Sequence, residues 1–71
     1  MMSNSQFAAA VGCHFTTASR YRNGHRLPGV EKLEGIRRTL GVSYDEILRE
    51  WQKGKESFGA YLRQHLFDEA A

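Results

Sequence analysis

Hydrogen-bonding and basic side chains are concentrated between residues 14 and 26 of this 71-residue chain. Residues 1–30 contain three arginines and no acidic residue, a charge of +3, whereas residues 31–71 contain seven basic and eight acidic residues, a charge of −1. The positive charge therefore belongs to one part of the molecule, which favours a surface that faces phosphate groups. From charge alone, the alternative is an ordinary solvated face.

The same stretch gives little support for catalysis or metal binding. No paired carboxylates, nucleophile–base pair or glycine-rich phosphate loop stands out, and so short a chain has no room for a deep pocket. Cys13, His14 and His25 could ligate a metal, but no fourth ligand stands at the spacing of a tetrahedral site. We therefore expect a protein that is not an enzyme, without catalytic residues, metal, cofactor or small-molecule ligand.

Length and composition indicate one domain that spans residues 1–71. The single Cys13 excludes an internal disulfide, which fits a reducing compartment. No apolar run approaches the roughly 20 residues that span a bilayer, and the N-terminus lacks the pattern of a signal peptide. We expect a cytoplasmic protein that does not interact with membranes.

Hydrophobic periodicity and capping residues predict a compact all-α domain of five helices. Ser3 is expected to cap the first helix, and glycines at or near their ends are expected to stop the first three. Ser43 with Glu46 is expected to form a capping box that starts the fourth. The predicted helices cover about residues 4–11, 15–22 and 30–40, the stretch from Ser43 to a break at 53–55, and about 56–68.

The first two helices, within residues 4–23, carry the most specific pattern. Small Ala8 and turn-forming Gly12 suit two helices that cross at roughly 90–120° over a short turn. Apolar Ala18 and Tyr21 would lock the second helix onto the core. The outer face of that helix is then free to enter a groove of DNA.

Residues 4–48 resemble the helix-turn-helix family of phage repressors and Cro-type regulators. The resemblance continues through Arg20-Tyr21-Arg22-Asn23-Gly24-His25-Arg26-Leu27-Pro28, Leu40-Gly41-Val42-Ser43 and Asp45-Glu46-Ile47-Leu48. It implies a fold of the lambda-repressor type and binding to the major groove of double-stranded DNA in a bacterial cytoplasm or nucleoid.

The resemblance also implies two sets of DNA contacts. The expected base-reading residues are Phe15, Thr16, Thr17, Ser19 and Arg20. The expected phosphate-contacting residues are Asn4, His14, Arg22, Asn23, His25 and Arg26. Arg20 could fork onto guanine, and the Phe15 ring could pack on a thymine methyl group or instead complete the core. Thr17 could instead be a packing or capping residue, and His14 could instead have a structural role.

The chain departs from this family in two respects. Glu34 and Arg37 stand at core-facing positions where the family prefers aliphatic or small residues, and the helix that usually precedes the motif is missing from its place. Residues 57–66 are similar to that missing helix, so we expect the C-terminal helix to replace it, within its own subunit or by exchange. The alternative is a dimer interface built from Trp51, Phe58, Tyr61 and Phe67. The expected dimer-forming or core-completing residues are Trp51, Phe58, Tyr61, Leu62 and Leu66.

Three functions are compatible with these residues. The first is a sequence-specific repressor of the Cro type that binds promoter or operator DNA as a homodimer. The second is an antitoxin-type subunit whose C-terminal helix docks on a protein partner and whose motif serves autoregulation. The third is an excision factor that bends DNA with weak sequence preference.

Overall fold

A computed structural model describes residues 2–67 and confirms the prediction of an all-α fold. That part of the chain forms five helices and no strand: α1 Asn4–Val11, α2 Phe15–Arg22, α3 Val30–Leu40, α4 Tyr44–Gln52 and α5 Lys55–Leu66. The last helix begins one residue earlier than expected, and residue 68 lies outside the described residues.

The helix ends follow the capping residues of the sequence. The Ser3 hydroxyl accepts from the Gln6 amide while the Gln6 side chain accepts from the Ser3 amide, so α1 begins with a complete capping box. Ser43 caps α4 through the Glu46 amide. The expected second half of that box does not form, because the Glu46 carboxylate instead accepts from the Tyr61 hydroxyl at 2.7 Å.

One hydrophobic core draws on every helix. Its fully buried large side chains lie on four helices and on the loop before α3, and α2 adds the small Ala18 and the ring of Tyr21. These fully buried large side chains are Phe7, Pro28, Leu33, Ile36, Ile47, Phe58 and Leu62. The two from α5 are as deeply buried as any other, so α5 is part of the core and not an appendage.

Helix α5 lies beside α2 and meets the start of α1. It packs against α2 and α4 of its own chain, and the Met2 amide donates to the Leu66 carbonyl at 2.9 Å. The end of α5 therefore meets the start of α1. That α5 replaces the helix missing from the motif, as in a circular permutant, stays a prediction.

The residues predicted to form a dimer or to complete the core are mostly turned inward. Phe58, Tyr61 and Phe67 are buried, and Leu66 packs against the core with part of its surface exposed. Trp51 is also partly exposed, and its indole N–H donates to the Pro28 carbonyl at 2.7 Å. Of the aromatic residues proposed for a dimer interface, Phe58, Tyr61 and Phe67 are thus covered by their own chain, and Trp51 is covered in part.

Glu34 and Arg37 form an ion pair at the edge of the core. The Arg37 guanidinium donates to both carboxylate oxygens of Glu34, with Nη2–Oε1 at 2.7 Å, and to the Val42 carbonyl at 3.2 Å. The hydrogen bonds from Arg37 hold the pKa of the Glu34 carboxyl below its usual range. The two charges compensate each other, and Arg37 also fastens the α3–α4 connection.

Candidate nucleic-acid interface

Helices α1 and α2 are joined by a tight turn that fixes their crossing. Gly12 has φ +79° and therefore lies in the left-handed region, where a side chain would be strained. The Lys32 ammonium of α3 donates to the Gly12 carbonyl at 2.7 Å. Because Ala18 and Tyr21 of α2 are buried against the core, both the direction and the rotation of α2 are fixed.

This packing leaves most of the predicted base-reading residues at the surface. Thr16 and Arg20 are exposed, and Phe15 has 51% of its surface exposed, so it does not complete the core. Ser19 and Thr17 are half-buried. Thr17 lines an open cavity of about 540 Å³ between α2 and the start of α3.

His14 is the N-cap of α2. Its Nδ1 accepts from the Thr16 amide at 3.2 Å. Since an accepting Nδ1 cannot carry a proton, the neutral ring bears its proton on Nε2. The exposed imidazole thus caps the helix and keeps an N–H donor on its far edge.

The turn after α2 carries a second exposed polar cluster. Asn23, His25 and Arg26 are all exposed. The His25 amide donates to the Arg20 carbonyl at 2.9 Å, and the Asn23 side-chain amide donates to the Ser19 hydroxyl at 3.3 Å. The turn is therefore tied to the end of α2 by these two hydrogen bonds.

Arg22 differs from the other predicted phosphate contacts because its guanidinium lies inside the molecule. It is half-buried, its Nη1 donates to Asn4 Oδ1 at 3.1 Å, and its Cζ lies 4.3 Å from the centre of the Phe67 ring. The Arg22 carbonyl accepts from Arg63 Nη1 at 2.6 Å. Arg22 therefore joins the end of α2 to the start of α1 and the end of α5.

Cys13, His14 and His25 do not come together as a metal site. Within residues 2–67 the structure contains no group of three or more His, Cys, Asp or Glu side chains placed to hold a metal ion. Cys13 is a free, half-buried thiol, and burial raises its pKa although Lys32 opposes that effect. It packs against the core beside the turn.

A family model described as helix-turn-helix matches residues 1–47, about two thirds of the chain. The chain belongs to the helix-turn-helix family. Comparison with curated proteins and with solved structures gave no significant match. Membership supports a DNA-binding helix-turn-helix regulator, and it agrees with the resemblance to phage repressors. Over the described residues, no helix is long and apolar enough to cross a membrane.

Several contacts of this helix-turn-helix domain were not anticipated from its sequence. They are the hydrogen bond from Lys32 to the Gly12 carbonyl at the end of α1 and the link from Arg22 to Asn4 and Phe67. The spacing of Lys32 from Gly12 carries no local signal, because Gly12 follows α1 whereas Lys32 lies on α3. The pairing of Arg22 with Phe67 depends on the end of α5 meeting the end of α2, which no periodicity reveals.

Proposed function

We propose that this chain is a Cro-like repressor that binds specific double-stranded DNA with α2 in the major groove and blocks transcription. The observation that carries the proposal is the orientation of α2. Its inner residues are locked in the core, whereas Phe15, Thr16 and Arg20 stand exposed on its outer face. Polar, basic and aromatic groups on one rigid helix face are those that read base edges.

The base-reading roles follow from the chemistry of each side chain. Arg20 would donate to O6 and N7 of guanine, and the Phe15 ring would pack on a thymine methyl group. Thr16 and Ser19 would bond base edges or nearby phosphates. Thr17, half-buried beside the cavity, would contribute at the edge of this contact.

The phosphate contacts would lie at both ends of the motif. Asn4 is at the start of α1, and His14 offers its Nε2–H at the start of α2. Asn23, His25 and Arg26 stand on the turn that follows. These groups would fix the position of α2 on the duplex without reading sequence.

We further propose that the protein binds as a symmetric pair in a bacterial cytoplasm or nucleoid. A two-fold pair would place its recognition helices on half-sites about one helical turn apart. The antitoxin alternative needs an apolar docking face on α5. Among the described residues the exposed large apolar side chains are Phe15, Val30 and Tyr44, and none of them lies on α5. The geometry therefore favours the repressor over the antitoxin.

Selection of bound duplexes from a random DNA pool tests the proposal. We expect enrichment of a motif with two-fold symmetry. Salt-dependent binding without enrichment, accompanied by a measurable bend, would instead support the architectural role.

Two arginine substitutions then test the division of roles on the enriched duplex. Arg20→Ala should lose about 1–3 kcal/mol of discrimination at one base position. Arg26→Ala should weaken all sequences alike and reduce the salt dependence by about one counterion. Arg38→Ala is the matched control, since Arg38 is an exposed arginine in the last turn of α3 and outside the motif. Equal effects of all three substitutions would contradict the proposal.

A further inference from the structure

The end of α5 touches both ends of the DNA-binding motif. The Leu66 carbonyl holds the Met2 amide, just before α1, and Arg63 holds the carbonyl at the end of α2. Phe67 lies between these two points. Its ring is 3% exposed, meets Phe7 of α1 edge-on with ring centres 5.5 Å apart, and supports the Arg22 guanidinium on its face.

The guanidinium in turn determines the orientation of the Asn4 side chain. An arginine side chain can only donate hydrogen bonds, so the Asn4 atom 3.1 Å from Arg22 Nη1 must be the accepting oxygen, Oδ1. The amide nitrogen Nδ2 is then directed to the other side of the carboxamide. Asn4 is half-exposed at the start of α1, and Nδ2 is the atom of its side chain that can donate hydrogen bonds.

We propose that Phe67 is a positioning residue for DNA binding, acting through Arg22 and Asn4. The aromatic face holds Arg22 in place, Arg22 holds the Asn4 oxygen, and the Asn4 amide is thereby aimed at a phosphate oxygen of the duplex. The inference rests on the proposed function, and it extends that function to a residue at the far end of the chain with no place in the motif.

The arrangement explains why this arginine is turned inward. A guanidinium over an aromatic ring is attracted by the ring quadrupole, and its planar fork can stack and donate at the same time. A lysine or a neutral residue at position 22 would lose one of the two contacts. The positive charge of Arg22 remains at the motif, while its hydrogen bond is used to orient a neutral donor.

The test is a double-mutant cycle between positions 67 and 4, measured as affinity for the selected duplex. Asn4→Ala should weaken binding roughly tenfold, the effect of losing one hydrogen bond to a charged group. Phe67→Leu keeps an apolar side chain but removes the ring face, and should weaken binding to a similar or smaller extent. The double variant should then bind within about twofold of Asn4→Ala alone, because both changes remove the same contact.

Two further variants separate positioning from general stability. Phe67→Tyr keeps the ring and should retain affinity close to that of the unmodified protein. Leu66→Ala removes apolar contact from the same turn and should lower the melting temperature without coupling to Asn4→Ala. Each variant is assayed well below its melting temperature, with folding checked by circular dichroism.

If the double variant lost affinity by the product of the two single losses, Phe67 and Asn4 would act independently. That result would overturn the inference and leave the proposed function standing. Unchanged affinity in Phe67→Leu would do the same. Absence of DNA binding by the unmodified protein would overturn both.

Discussion

The packing of α5 against the end of α2 can be tested by substituting a single glycine. Gly59 lies inside α5 and faces the turn after α2. A Cβ atom at position 59 would stand 2.7 Å from both the Cα and the N of Gly24, and 3.2 Å from the Arg22 carbonyl oxygen. All of these neighbours are backbone atoms, which cannot rotate away as a flexible side chain can. Gly59→Ala therefore forces α5 away from the end of α2.

The size of the effect follows from three contributions. Ordinary contact begins at 3.4 Å, so the two backbones must separate by about 0.7 Å. Overpacking of this kind typically costs about 1–3 kcal/mol. A shift of that size also weakens the 2.6 Å bond from Arg63 to the Arg22 carbonyl, at a cost of about 1 kcal/mol. Replacing a helical glycine by alanine returns about 1 kcal/mol of helix propensity, which leaves a net loss of about 2 kcal/mol.

The assay is a thermal or urea melt, with Gly35→Ala as the matched control. A loss of about 2 kcal/mol lowers the melting temperature of so small a domain by roughly 8–16 °C. Gly35 is also a helix-interior glycine, but a Cβ there would lie 3.3 Å from the Val11 carbonyl, a mild contact that the propensity gain offsets. Gly35→Ala should therefore be close to neutral. If Gly59→Ala were neutral or stabilising, α5 would not sit on the end of α2, and the account of the fold would be wrong.

Two further predictions concern α5. Burial and the hydrogen bond to Glu46 raise the pKa of Tyr61, so the unfolded chain, with a tyrosine pKa of about 10, loses this proton first. Stability from Tyr61 is complete below about pH 10 and falls as the pH rises further. Tyr61→Phe should cost about 1 kcal/mol at pH 7 and flatten the alkaline decline in urea melts; a parallel decline in both proteins would contradict this. Since the Met2 amide and the Leu66 carbonyl are 2.9 Å apart, a chain that joins residue 67 to residue 2 by a short linker and opens at Gly54 should fold. It should melt cooperatively within a few degrees of the parent, whereas a permutant without a cooperative melt would show that the start of α1 and the end of α5 do not meet.

Most of the fold could be predicted because its signals are local. The ends of α1, α3 and α4 follow from Ser3, Gly12, Gly41 and Ser43, whose capping preferences act within one turn of chain. The apolar spacing of residues 57–66 predicted a helix packed into the core, and α5 is one. That it fills the place of a helix missing elsewhere stays a prediction.

The interior of the site could not be predicted, because it depends on contacts between distant parts of the chain. Arg22 has the residue type of a phosphate contact, but its guanidinium is turned inward against Asn4 and Phe67, which are distant from it in the sequence. Glu34 and Arg37 are charged residues at positions of α3 that face the core, where apolar residues are expected. Because they are three residues apart in a helix, they can form the ion pair that compensates their charges.

The most direct test of the central claim is to map the DNA-facing surface by amide chemical shifts during titration with the selected duplex. We predict that the largest shifts fall on residues 14–20 and 23–26, with a further shift at the Asn4 side-chain amide. The outer face of α4, around Asp45 and Arg49, should remain unchanged. Shifts concentrated on α4 or α5, with α2 unaffected, would contradict the placement of α2 in the major groove.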